Sequence, residues 1–329
     1  MKNKLILLII TFLILIFIFF LSLSIGSVKL NFIQIIKTLF NKEKEQIYEL
    51  IVLNIRLPRI IFSIFIGGLL AMSGAILQSI LKNPLADPYI TGISSGAALG
   101  ATFGIIAGVN NIFLPAIAGA FLTILFVYKA SLVYGKINTG SLLLIGVMTG
   151  TFLSSIIMLL STVFNRDLVK VVFWLMGDLS NIEPIYVNLL VFFSLIIIIF
   201  VILFSNDLNI IATGEEEAKT LGVNTEFLKT YYFILSSLIV AICVSLSGII
   251  GFVGLIIPHI IRYFIGSDNR FLLPASFILG GIFLLLSDTL ARFLFLPIEI
   301  PVGIITGIIG APIFIILILN RKNVWISLL

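Results

Sequence analysis

The stretch GGLLAMSGAILQSILKNPLADPYITGISSGAALGA, Gly67–Ala101, sets two apolar segments on either side of a rigid polar turn. Gly67, Gly68, Ala71, Gly74 and Ala75 are small residues of the kind that let one helix backbone approach another inside a membrane. Asn83-Pro84-Leu85-Ala86-Asp87-Pro88 then stops the helix, because proline disfavours helical backbone in the residue before it. A Gly/Ser-rich helix start follows. The stretch predicts two closely packed spans joined by a short loop.

Working outward, the same character holds for the whole chain. Its 329 residues are 60% hydrophobic and only 11% charged, with a mean hydropathy of +1.26. Such values lie far outside those of soluble domains, since a charge at the centre of a spanning helix costs about 2.5–3.5 kcal/mol on insertion scales. Apolar runs near 5–24, 58–80, 90–108, 112–133, 141–163, 184–204, 229–247, 249–265, 273–292 and 302–319 predict about ten transmembrane helices in a single all-α, polytopic domain over 1–329. The run at 5–24 follows Lys2 and Lys4, but it is longer than the apolar core of a signal peptide and has no small-residue cleavage site, so it reads as a retained first span. Cys243 is the single cysteine and lies in an apolar run, where a buried, inert thiol is expected. The net charge of +5 comes from basic residues that flank spans. They serve as topology signals rather than as a nucleic-acid surface.

With the N-terminus inside, Lys82, Lys129, Lys136, Lys219, Lys229, Arg262 and Arg270 fall on the cytoplasmic side, and an even span count places both termini there. Six of the nine basic residues left outside, Lys29, Lys37, Lys42, Lys44, Arg56 and Arg59, lie in or beside one segment, 31–56, between the first two spans. Asn31 can cap a helix there, and Phe32, Ile33, Ile36, Leu39 and Phe40 share one face, which predicts an external interfacial helix.

The cytoplasmic loop 205–228 carries GEEEAKTLGV, Gly214–Val223. Thr213 and Glu216 have the spacing of a capping box, and three acids crowd the positive end of the helix dipole. Ala218 and Leu221 give the short helix an apolar face, and Gly222 suits a left-handed cap. A second short helix is expected from Asn224 or Thr225. The pair makes either a helical connector or a docking knob.

Arg56-Leu-Pro-Arg59 opens the second span, with Pro58 in a first-turn position that tolerates it. On spacing alone the two arginines read as headgroup anchors. Two further segments stand out: Gly251-Phe-Val-Gly-Leu-Ile-Ile-Pro-His259-Ile-Ile-Arg262, and Leu296-Pro-Ile-Glu299-Ile-Pro301-Val-Gly303 followed by Gly310-Ala-Pro-Ile-Phe314. Taken with the opening stretch, these resemble the vitamin B12, haem and iron-siderophore permeases of bacterial ABC importers, the FecCD/BtuC-like family. The resemblance runs from about Arg56 to the end of the chain.

That resemblance implies a type II ABC-importer permease fold in the cytoplasmic (inner) membrane. It implies a homodimer with the pathway on its axis, two cytoplasmic ATP-binding cassette subunits, and an external binding protein that delivers a metal chelate. Glu215, Glu216, Glu217, Ala218, Leu221 and Gly222 match the ATPase-coupling loop, and Arg56, Arg59 and Arg292 match positions that meet glutamates of the binding protein. Such exposed pairs steer docking more than they bind. Asn83 and Leu85, with Asn138, Thr139 and Gly140, resemble a cytoplasmic gate, the lesser alternative being that Asn83 merely caps a helix or turn.

The residues agree with this division of labour. No G-x-x-x-x-G-K-[ST] occurs, so the chain has no ATP site of its own, and ATP and Mg are expected on the partner ATPase. His259 is the single histidine and has no metal-ligating neighbours in sequence, which favours a structural hydrogen bond and no metal site. Asp288 and Glu299 lie near the outer boundary as possible partners of Arg292. An ion-coupled secondary carrier would hold titratable groups at mid-membrane, and the spans have almost none. A membrane-embedded enzyme would need convergent His, Asp or Cys.

Overall fold

The computed structural model describes residues 2–26, 28, 30–40, 46–180, 182–220 and 222–320. The chain opens with α1 (Lys2–Ser24) and the short α2 (Phe32–Leu39). Then α3 (Gln46–Glu49) runs through a π-helical turn, Leu50–Arg56, into α4 (Leu57–Ile80), giving one helix of 35 residues. After the loop come α5 (Ile93–Ile106) and α6 (Phe113–Ala130), then a small hairpin of β1 (Leu132–Val133) and β2 (Lys136–Ile137). The next helices are α7 (Thr139–Val163), α8 (Leu168–Leu175) and α9 (Pro184–Leu203). Two short helices follow, α10 (Ser205–Thr213) and α11 (Glu215–Thr220), before α12 (Thr225–Ser247), α13 (Val253–Ile265), α14 (Asn269–Phe293) and α15 (Val302–Asn320).

Eight of these helices are long and apolar enough to cross a bilayer, and α5 and α13 are shorter apolar helices, so ten segments match the ten expected spans. Two expectations change. Residues 46–56 are not a separate external segment: only α2 stands apart, and the rest lengthens the second span's helix. Pro58 was the apparent start, but the π turn, in which Leu57 N–H reaches Val52 O, carries the helix into it. The seventh span begins at Thr225, capped by Asn224 Oδ1 accepting from Phe227 N–H, so the second short helix expected there is the span itself.

The long helix containing α4 is the hub. In its apolar window 83% of residues are buried, against 11% in α1, 17% in α7 and 22% in α9 and α15, which leaves those four to face lipid or another chain. Close approach at glycine makes the hub possible, as the small-residue pattern predicted. A Cβ on Gly67 would sit 2.4 Å from Gly280 O of α14, and one on Gly74 would sit 1.9 Å from Gly254 O of α13.

Irregular backbone inside the bundle is satisfied by side chains, as a hydrocarbon environment requires. Between α12 and α13 the chain passes through left-handed residues at Gly248 and Phe252. Here the Tyr89 hydroxyl donates to Ile250 O at 2.8 Å and accepts from Ile250 N–H at 3.3 Å. Pro258 within α13 has no N–H for the carbonyl of Gly254, four residues back. The Gln78 amide fills that gap, 3.4 Å from Gly254 O and 3.2 Å from Leu255 O.

Candidate functional site

Two short helices do sit between the sixth and seventh spans, joined by Gly214 rather than by Gly222. Thr213 is the last residue of α10, so it does not cap α11; that position falls to Gly214, whose carbonyl accepts from Ala218 N–H at 3.0 Å. The expected left-handed stop is present, with Gly222 at φ 77° and Val223 N–H bonded to Ala218 O at 3.1 Å. Ala218 is buried and Glu217 exposed, while Leu221 and the side chains of Glu215 and Glu216 lie outside the described residues. Leu208 and Ile211 bury the inner face of α10. Asn209 bonds it to the start of α14, where the Arg270 guanidinium holds the Asp268 carboxyl well below the usual carboxylate range, aided by Asn209 against some desolvation.

The residues expected at the gate lie at the same end of the bundle. Asn83 Oδ1 accepts from Leu85 N–H at 2.9 Å, closing a side-chain-stabilised turn that leaves Leu85 exposed. Asn138 caps α7 by accepting from Ser141 N–H at 2.9 Å, and with Thr139 and Gly140 it lines an open cavity of about 410 Å³ that Lys136, Glu226 and Lys229 share. In the loop after Asn83, burial raises the Asp87 carboxyl to about 6, opposed by the hydrogen bond it accepts from Tyr89 N–H.

At the opposite end the three arginines differ from expectation in being internal. Arg56, Arg59 and Arg292 are only 4%, 9% and 7% exposed. Arg56 donates to Leu23 O and Val28 O. Arg59 lies 2.9 Å from Asp288 and 2.7 Å from Glu299, and Arg292 lies 3.1 Å from the other oxygen of Asp288. Glu299 thus pairs with Arg59 rather than with Arg292. Asp288 is fully buried between two guanidiniums, whereas Glu299, 47% exposed, is the open rim of the cluster. A buried carboxylate with two cations satisfies groups that would otherwise be too costly to bury.

His259 is buried with its ring edge-on to Phe314. The outward face of α7 carries Thr151, Ser155 and Thr162, each donating its proton to a carbonyl one turn back, so that oxygen lone pairs face outward. Ser154, 3.5 Å from Ser95 of α5, opens a cavity of about 250 Å³ between α5, α7 and α8, lined also by Ser161, Leu168 and Leu175.

Sequence reasoning missed the pairing of Gln78 with Arg262 and the bond from Asn209 to Asn269. The available signal was a Gln within an otherwise apolar span, since a polar side chain there needs a partner. It also missed α8 as an element, although Met176 O at its end receives Gly303 N–H from the start of α15.

Among the described residues, ten apolar helices, one of them the buried hub, with a short helical pair carried at one end, define a multi-span membrane protein. The chain matches the FecCD transport family over residues 14–320. It is 39% identical over 290 residues, 85% of this chain and 81% of that protein, to the uncharacterized ABC transporter permease protein YvrB of Bacillus subtilis, and 39% identical over 83% of this chain and 74% of that protein to the cobalamin import system permease protein BtuC of Halobacterium salinarum. The hemin transport system permease protein HmuU of Yersinia pestis is 37% identical over 92% of both chains. Among solved structures, an ABC transporter assigned to the metal-chelate type, in an inward-facing conformation, aligns with a TM-score of 0.84 and 33% identity, covering 96% of this chain and 99% of that one. The chain belongs to the FecCD transport family. It is a permease subunit of an ABC importer, and ATP hydrolysis belongs to a separate subunit.

Proposed function

We propose that this permease carries a metal chelate, with an iron-siderophore favoured over haem or cobalamin, across the cytoplasmic membrane with both termini inside. The observation that carries the reading is the outward face of α7: a row of hydroxyl acceptors on a span that its own chain leaves 17% buried. Plain lipid offers such lone pairs no donor. A wet pathway between two copies of the chain does, and a bulky polar chelate can move along it through many weak contacts. The relatives named for cobalamin and for hemin support a large planar or caged metal complex as cargo.

In this reading the α10–α11 pair seats in one of two ATPase subunits, which hold the ATP and Mg. Movement of that pair opens or closes the turn at Asn83 and Leu85 against Asn138, Thr139 and Gly140. An external binding protein delivers cargo at the arginine cluster. There Arg59 exchanges the half-exposed Glu299 for a carboxylate of the binding protein, while Arg56 and Arg292 supply the surrounding positive field.

Affinity purification in mild detergent tests the docking half. A P-loop ATPase is expected with the native chain and is expected to be lost when Glu215, Glu216, Glu217 and Leu221 are changed to alanine. The cargo half is tested in proteoliposomes that contain the permease, its ATPase and its binding protein. ATP-dependent uptake of an iron-loaded siderophore, in preference to haemin and cyanocobalamin, is expected. Uptake driven by an ion gradient without ATP refutes the reading.

A further inference from the structure

A continuous set of polar contacts joins α10 to the loop after α4. Asn209 of α10 donates from Nδ2 to Asp268 Oδ1 at 3.0 Å. Its Oδ1 accepts from the backbone and side-chain N–H groups of Asn269, at 2.8 and 3.0 Å. Asn269 Oδ1 lies 3.1 Å from the Ser79 hydroxyl, near the end of α4. Arg262 of α13 approaches the same hydroxyl at 3.5 Å and donates to Gln78 Oε1. Finally, the Gln78 amide donates to Ala86 O at 3.3 Å, in the turn that holds Asn83 and Leu85.

The burial of these groups sets them apart from ordinary surface polar contacts. Gln78, Ser79 and Asn269 are 2%, 8% and 1% exposed. Polar groups at such depth are costly unless bonded, so the contacts resist being broken one at a time. Leu208 and Ile211 alone would seat α10 as a connector. Asn209 adds three bonds to the first turn of α14, and a displacement of α10 must either move Asn269 or break them. At the other end, the two amide protons of Gln78 are shared among three carbonyls, of the loop and of the first turn of α13.

We propose that Asn209 is a positioning residue that transmits displacement of the α10–α11 pair to the Asn83–Leu85 turn through Asn269, Ser79, Arg262 and Gln78. This rests on the reading that α10–α11 docks the ATPase. The test reads the far end of the chain of contacts while perturbing the near end.

The experiment uses the purified complex with its ATPase, in a Cys243→Ser background carrying Leu85→Cys. The probe is the rate of labelling by a membrane-impermeant maleimide, without nucleotide and after trapping with ATP and vanadate. The native sequence is expected to show a labelling rate that changes several-fold on trapping, and Asn209→Ala is expected to bring that ratio close to one while ATP hydrolysis and co-purification of the ATPase persist. Asn209→Asp sets a carboxylate against Asp268 and is expected to lose the response. Adding Asp268→Asn turns the donor around and is expected to restore it, an outcome that a merely structural role does not predict. An Asn209→Ala complex that keeps its ATPase and the native labelling response overturns this proposal alone, as does a reversed pair that folds without regaining the response. Absence of the ATPase from the native complex overturns the docking reading and this proposal with it.

Discussion

Asp288→Ala removes the carboxylate that Arg59 and Arg292 share, and its effect can be set against that of Glu299→Ala on the same arginine. Breaking a buried ion pair from one side leaves an uncompensated charge and costs about 3–5 kcal/mol. The side chains of Arg59 and Arg292 are only 10% and 7% exposed, so water can replace little of the lost carboxylate. Glu299 still sits 2.7 Å from Arg59 and Ser22 2.8 Å from Arg292, which keeps the expected loss inside that range rather than above it. Glu299→Ala removes a partner that is 47% exposed, and surface-type pairs contribute about 0–1 kcal/mol. The two variants should therefore differ by at least about 2 kcal/mol, a factor of roughly 30 in the unfolding equilibrium. Titration of dodecyl maltoside micelles with sodium dodecyl sulfate, followed by circular dichroism, measures both. Asp288→Leu with Arg59→Met and Arg292→Met should recover part of the loss, because an apolar triad replaces a broken ionic one. Equal costs for Asp288→Ala and Glu299→Ala would refute the argument that burial, rather than charge count, sets the energy here.

Gly74→Ala should lower the folded yield and cost at least about 1–3 kcal/mol by overpacking, since its Cβ would meet Gly254 O at 1.9 Å; Gly251→Ala, with no atom within 4 Å of the added Cβ, is the neutral control in the same detergent titration. Asp87 should give the protein a pH-dependent stability. Its folded carboxyl titrates near 6, above its ordinary value of 3.8, so the folded state binds more protons between these values and stability falls as pH rises from about 4 to about 6. Asp87→Asn should flatten thermal-melting profiles across that window, and an unchanged slope would show that another group carries it.

What the sequence made legible follows from where its information is local. The run of apolar segments located ten helices because the length of a span is fixed by the bilayer, whatever packs beside it. Gly67 and Gly74 announced close approach, yet nothing local names Gly280 and Gly254 as the backbones they meet. The arginines show the same limit more sharply. Arg56, Arg59 and Arg292 stand at span ends, where anchors and docking charges also stand, and a span end does not reveal whether it faces water. Arg59 and Asp288 are 229 positions apart, so only the fold brings them within 2.9 Å. The π turn before Pro58 escaped for a related reason: proline marks a permitted start, and the helix continued through it because a longer bond register was available. Gln78 was the most informative residue left unused. A polar side chain in an apolar span demands partners, and the gap left by Pro258 one helix away supplies one of them. Each half of that pairing is visible in the sequence, and the contact becomes inferable once α13 is placed against α4 at Gly74 and Gly254.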